Sequence, residues 1–114
     1  MVIDFDHLPV QHLARFKGGE GEILGRMYTD DMGKIARLTL PAGASIGLHT
    51  HDTSAEVMYF LSGTGIILAD DLPDGEPLQV TAGMCCYCPK GESHSLINNG
   101  TEPLTLLAVI PELG

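Results

Sequence analysis

Three histidines and one glutamate carry the chemistry available to this chain. His49 and His51 flank Thr50, Glu56 follows five residues on, and His94 lies far downstream. Three imidazoles and one carboxylate are enough to surround one divalent transition metal. Residues at i and i+2 project from the same face of a strand, so His49 and His51 point the same way. Glu56 opens the next apolar run after the polar turn Asp52-Thr53-Ser54-Ala55, which sets it beside them. Neutral imidazoles and a single carboxylate leave a divalent ion with net positive charge. One or two coordination positions stay open for water or substrate. Such a shell suits Fe(II), Mn(II), Ni(II), Co(II) or Zn(II), whereas a closed structural zinc site would favour cysteine.

The four residues sit within two longer spaced blocks. The first is Gly43-x5-His49-x-His51-x4-Glu56-x6-Gly63, and the second is Gly83-x5-Pro89-x-Gly91-x2-His94-x3-Asn98. These blocks resemble the two motifs of the cupin superfamily, with every family position filled, and the short stretch Thr64 to Ala82 between them resembles the small single-domain bacterial cupins. The resemblance covers Gly43 to Asn98. It implies an all-β fold, an antiparallel double-stranded β-helix or jelly-roll barrel, with the His49/His51 face turned inward. It also implies a metal in the mouth of the barrel, held by His49, His51, Glu56 and His94. Many cupins carry an acidic residue directly after the first glycine of the second motif; Met84 stands there in this chain.

The other motif residues position rather than react. Gly63 and Gly83 are expected at turns with positive φ. Gly43 starts the first motif strand after Pro41, and Pro89-Lys90-Gly91 turns the chain ahead of His94. Met58 and Phe60, at i+2 and i+4 from Glu56, are expected to line the barrel beside the metal. Ile46 and Leu48 alternate against the histidines and are expected to face the other way. The same alternation turns Tyr59 outward. Tyr87 has no assignable face without the register. Arg26 and Arg37 could bind a ligand carboxylate if they face inward, and otherwise read as surface charge. His7 and His12 have no ligand spacing and read as solvent-exposed.

Cys85-Cys86-Tyr87-Cys88 is an unusual run. Cys86 and Cys88 share one face, Cys85 and Tyr87 the other. A thiol beside the metal, a redox sensor and a second soft-metal site are the functional readings. Small buried apolar side chains are the plain one, which free cysteine serves well.

The elements that must hold these residues are short. Gly and Pro interrupt the chain often, and apolar runs lie between them, the pattern of a sandwich or barrel. Strands are predicted over Glu22 to Tyr28, Lys34 to Leu40, Ile46 to His51, Glu56 to Leu61, Gly65 to Ala69, Pro77 to Val80, Met84 to Cys88, His94 to Asn98 and Leu104 to Ile110. Thr29 to Gly33 reads as a hairpin loop, Asp70 to Gly75 as the connection between the motifs, and Asn98-Asn99-Gly100 as a tight hairpin turn with positive-φ residues. Asp6 to Phe16, with Leu8, Leu13 and Phe16, reads as one short helix or an irregular arm. The domain reading is one barrel over residues 1–114, with an N-terminal arm over 1–20, the first motif over 43–63 and the second over 83–98.

Composition narrows the partners. With 114 residues, the chain can bury a core without disulfides. Six basic against fifteen acidic residues give a formal charge of -9. That balance argues against nucleic acid and against an anionic membrane surface. No apolar run reaches the length of a membrane span, and the N-terminus lacks the basic and apolar regions of a signal peptide. An odd, clustered set of three cysteines fits a reducing cytoplasm. Runs such as Glu56 to Leu61 and Leu104 to Ile110 are apolar on both faces, where a barrel strand facing water should alternate. Their outer side is therefore expected to be covered, by the arm or by a second subunit in a homodimer.

Two function classes lead. One is a metal-dependent enzyme acting on a small oxygenated acid or sugar; the resemblance admits dioxygenases, oxalate-type decarboxylases, sugar isomerases and lyases. The shell with Glu56 resembles less the thiol dioxygenases, which rely on three histidines. The other is a non-catalytic domain that binds or senses a small molecule at its metal. A storage or structural barrel would have little use for so complete a ligand set. No residue outside the metal shell stands out as a catalytic acid or base.

Overall fold

Side chains alternate between the two faces of a strand, and in this chain one face of nearly every strand is apolar. The computed structural model describes all residues, Met1–Gly114. Ten strands form: β1 (Gln11–Ala14), β2 (Glu22–Asp30), β3 (Gly33–Leu40), β4 (Ser45–Thr50), β5 (Glu56–Ser62), β6 (Thr64–Ala69), β7 (Leu78–Thr81), β8 (Cys85–Cys88), β9 (Ser93–Ile97) and β10 (Leu104–Pro111). They make a six-stranded sheet in the order β1-β2-β3-β10-β5-β8 and a four-stranded sheet in the order β4-β9-β6-β7. Every pairing within the sheets is antiparallel. This is the jelly-roll barrel expected of the sequence. No helix is long and apolar enough to cross a membrane.

The core follows from register. Across β3, β10 and β5, Leu38 pairs with Leu106, which pairs with Phe60; Ala36 pairs with Ala108, which pairs with Met58. All six are buried, so the inner face of the large sheet is one continuous apolar surface. Ile46, Ile67, Val80 and Leu96 meet it from the small sheet. Full burial of a side chain such as Leu106 contributes about 1.5–3 kcal/mol each.

The nine predicted strands all form, with ends shifted by one or two residues. Three expectations need correction. The segment Asp6 to Phe16 is neither a helix nor an irregular arm throughout. Its residues Gln11–Ala14 form β1, which pairs with β2 through Leu13 and Ile23. Arg15 and Lys17 then take left-handed conformations (φ 50° and 55°), which end any helix. Asn98-Asn99-Gly100 is not a hairpin turn. None of the three has positive φ, and the strands on either side belong to different sheets. The Asn98 side chain is fully buried instead. Its Nδ2 donates to the carbonyls of Leu40 and Glu102, and its Oδ1 accepts from Gly100 N–H. Asn98 thereby ties the crossover to the large sheet. Finally, Ile46 does not face away from the histidines. Ile46 pairs with Leu96 while His49 pairs with His94, so β4 carries one extra residue between them. That β-bulge turns Ile46 inward (4% exposed) and leaves Leu48 outside (67% exposed).

The arm covers part of the outer face. The Arg26 guanidinium donates to the carbonyls of Phe5, Asp6 and Leu8, and Arg37 pairs with the Asp6 carboxylate while lying over the Phe5 ring. Both arginines are thus structural surface charges. His7 and His12 are exposed and paired with Asp4 and Glu22.

Candidate metal centre

Both sheets contribute to one cluster. His49 lies on β4 directly opposite His94 on β9, Glu56 is the first residue of β5, and His51 follows the end of β4. The His51 backbone is gripped on both sides: its N–H donates to Glu92 O, and its carbonyl accepts from Gly91 N–H. Gly91 has φ +90°, so the Pro89-Lys90-Gly91 turn needs a glycine to make this contact.

The three rings form a nearly equilateral triangle, with centroids 4.9, 4.8 and 4.9 Å apart. One candidate ligand atom from each of His49, His51, Glu56 and His94 lies within 4.8 Å of the others. Glu56 Oε1 is 3.0 Å from His51 Nε2 and 2.8 Å from His94 Nε2, and the two Nε2 atoms are 3.0 Å apart. Donor atoms at right angles around an ion, at bond lengths near 2.1 Å, stand about 3.0 Å apart. The donor set therefore fits a divalent metal in chemistry, and the His51, Glu56 and His94 atoms fit it in spacing as well. Lone pairs of two imidazoles do not approach this closely without a shared cation or proton.

Outer partners aim the rings. His49 Nδ1–H donates to Gly47 O at 2.7 Å; since a carbonyl only accepts, Nε2 is left bare on the cluster side. His51 Nδ1 is hydrogen-bonded with Ser54 Oγ at 3.0 Å, which leaves its Nε2 facing Glu56 and His94. Burial holds the His49 pKa below its ordinary value, with the neighbouring His94 and His51 charges acting the same way, so the neutral, ligating form is favoured. Burial alone would raise the Glu56 carboxyl, but hydrogen bonds from His51 and His94 outweigh it and bring it down to about 2. Glu56 is thus ionised at neutral pH.

The cluster forms part of the wall of a cavity of about 570 Å³. Met58 and Phe60 point into the barrel as expected but are sealed in the core and do not reach this cavity. Its apolar wall comes mainly from elements that carry no motif: Leu13, Phe16, Met27, Ala36 and Leu38, with Ile46 turned in by the bulge. Leu13 and Phe16 belong to the segment whose pairing the sequence left open. Arg26 and Arg37 are absent from the lining. No cysteine belongs to the cluster, although Cys88 lies opposite Glu56 in the β5–β8 register. Cys88 is buried, Cys86 half-buried and Cys85 exposed, and Tyr59 and Tyr87 are outward.

A model of the cupin domain matches residues 36–110. The chain belongs to the cupin family. It is 33% identical over 116 residues to an oxalate-binding protein of Thermotoga maritima, covering 96% of this chain and 93% of that protein. A crystal structure of a predicted oxalate decarboxylase from Thermotoga maritima superposes with a TM-score of 0.89 at 32% identity, over 99% of this chain and 100% of the other. A xanthan biosynthesis protein of Xanthomonas campestris is 35% identical over 82 residues, 69% of this chain but 17% of that protein. The same barrel therefore recurs as a small part of a larger protein.

Proposed function

We propose that His49, His51, Glu56 and His94 hold one divalent transition metal, and that this cupin binds a small oxygenated acid or sugar through the metal's open positions. The observation that carries this reading is the Nε2, Nε2 and Oε1 triangle, with edges of 2.8–3.0 Å in a buried pocket. The relative named as an oxalate-binding protein supports a chelating acid. When bound, the metal supplies Lewis-acid or redox chemistry. The chain's own part is to keep the His49 imidazole neutral, to keep Glu56 ionised and to enclose the ligand beside an apolar wall.

Catalysis is the leading reading, since the shell is complete and a cavity adjoins it; binding or sensing without turnover is the alternative. Metal content by plasma mass spectrometry, on protein purified without a histidine tag, tests the site. Near-stoichiometric metal is expected, falling by most of its amount in His51→Ala, His94→Ala and Glu56→Ala with the β signature in circular dichroism retained. Unchanged content in all three variants would overturn the assignment. Product formation or O2 uptake with a bound acid marks the enzyme, and saturable binding without product marks the sensor.

The three cysteines are free, which supports a cytoplasmic location. Recovery of the protein from an oxidising compartment would argue against it. The apolar outer face of β5 and β8, bearing Tyr59, Leu61 and Tyr87, supports a homodimer. A single-copy mass at micromolar concentration would remove it.

A further inference from the structure

The cavity beside the cluster is larger and more apolar than a bare dicarboxylate can use. About 570 Å³ lies within the range of roughly 300–1,000 Å³ typical of pockets for ligands of drug size. A dicarboxylate with no carbon beyond its carboxyl groups would fill a corner of it next to the metal ligands. Leu13, Phe16 and Met27 line this space and are only partly buried, and Ala36, Leu38 and Ile46 continue the same wall. The charged residues around it are mostly of the wrong sign for a dianion. Asp30, Asp31, Asp52 and Glu112 border the cavity, against Lys17 and Lys34. Neither Arg26 nor Arg37 reaches it, because both hold the N-terminal arm on the outer face. The outward oxygens of a chelated dicarboxylate would thus meet an apolar wall on the side of Leu13, Phe16 and Met27 and an acidic rim, with neutral donors such as Gln11, Thr29 and Thr50 but no arginine to pair their charge.

We infer that the site takes chelating monoacids that carry an apolar chain, of the 2-oxo or 2-hydroxy carboxylate class, in preference to bare dicarboxylates such as oxalate. The inference rests on the metal reading above: the carboxylate and its 2-oxygen occupy the open metal positions, and the chain lies along Leu13, Phe16 and Met27. Each methylene moved from water to that wall should tighten binding about threefold to fourfold.

Calorimetric titration of the manganese-reconstituted full chain tests this, with oxalate, pyruvate, 2-oxobutyrate, 2-oxohexanoate and 2-oxooctanoate as probes. The expected result is affinity that climbs with chain length at about threefold per methylene over the first few carbons, with oxalate below the longer acids. Met27→Asn changes a half-buried wall position outside the metal shell. It is expected to weaken 2-oxooctanoate about fivefold or more and to leave pyruvate unchanged. Affinity independent of chain length, or oxalate bound more tightly than every oxo acid, would overturn the inference while leaving the metal site standing. Failure to take up manganese, iron, cobalt, nickel or zinc, or equal binding of the acids by chelator-stripped protein, would overturn both readings.

Discussion

Two imidazoles of the cluster, His49 and His51, depend on an oxygen behind them as much as on the residues in front. Gly47 O sets the tautomer of His49 and Ser54 Oγ holds the His51 ring in place, and neither has a signature in the sequence. Alternation also decides the cysteines. Cys88 faces inward across from Glu56, and Cys85 faces solvent on the opposite side of β8. Burial, with the negative charge of Cys85 on one thiol and of Glu56 on the other, pushes both Cys86 and Cys88 up to about 11. The thiolate is the reactive form, so both are poor nucleophiles at neutral pH. With iodoacetamide at pH 8, the folded protein is expected to lose one thiol, Cys85, quickly. Cys86 and Cys88 should react slowly, with rates that rise as pH approaches 11. Peptide mapping of the labelled protein reads this out; equal rates at all three positions would show that the strand does not shield them.

At the level of elements, the proposed metal site depends on the segment between β1 and β2. The chain from Arg15 to Gly19 packs its backbone on β4, so closely that side chains are excluded. A Cβ on Gly47 would stand 2.1 Å from Lys17 O, and one on Gly19 would stand 2.1 Å from Ser45 O. Gly47 lies in the bulge that turns both Ile46 and His49 inward, and its carbonyl accepts the His49 proton. Gly47→Ala must therefore move the bulge or the loop. The expected outcome is metal affinity reduced roughly tenfold to a hundredfold, the size of losses seen when a ligand's outer partner is displaced. The circular dichroism of the barrel should persist. Measurement by competition with a chromogenic chelator distinguishes this from unfolding, and wild-type affinity in the variant would show that His49 is held by other means.

For the whole molecule, the uneven cover on the large sheet matters most. The N-terminal arm shields β2 and β3 through Arg26 and Arg37, but nothing in the chain covers the far edge. There Tyr59 is 43% exposed, Leu61 45% and Tyr87 61%, and β8 ends the sheet with an unpaired edge. Exposed edges and contiguous apolar faces invite pairing with another chain. A second copy at this edge would give a mass near twice 12.2 kDa by light scattering. Tyr59→Glu and Tyr87→Glu together are expected to return it to the single-copy mass without loss of metal. A dimer unaffected by both changes would place the interface elsewhere.

Much of this protein was legible in its linear order. Short apolar runs between Gly and Pro breaks marked nine of the strands, because a barrel is built of short buried strands joined by turns. His49, His51, Glu56 and His94 stood out because a metal shell demands those side chains within a spacing that strands can close. Positive φ at Gly43, Gly63, Gly83 and Gly91 agrees with their expected roles at turns. What the order of residues left open depends on partners distant in sequence. Leu13 became a strand residue only by pairing with Ile23, and Asn98 a buried tie rather than a turn only because Leu40 O and Glu102 O lie beside it. The bulge at Gly47 reversed Ile46, since one extra residue in a strand inverts every side chain on one side of it. The cavity wall was decided the same way: its residues come from separate strands and loops, and only the closed barrel brings them next to the histidines.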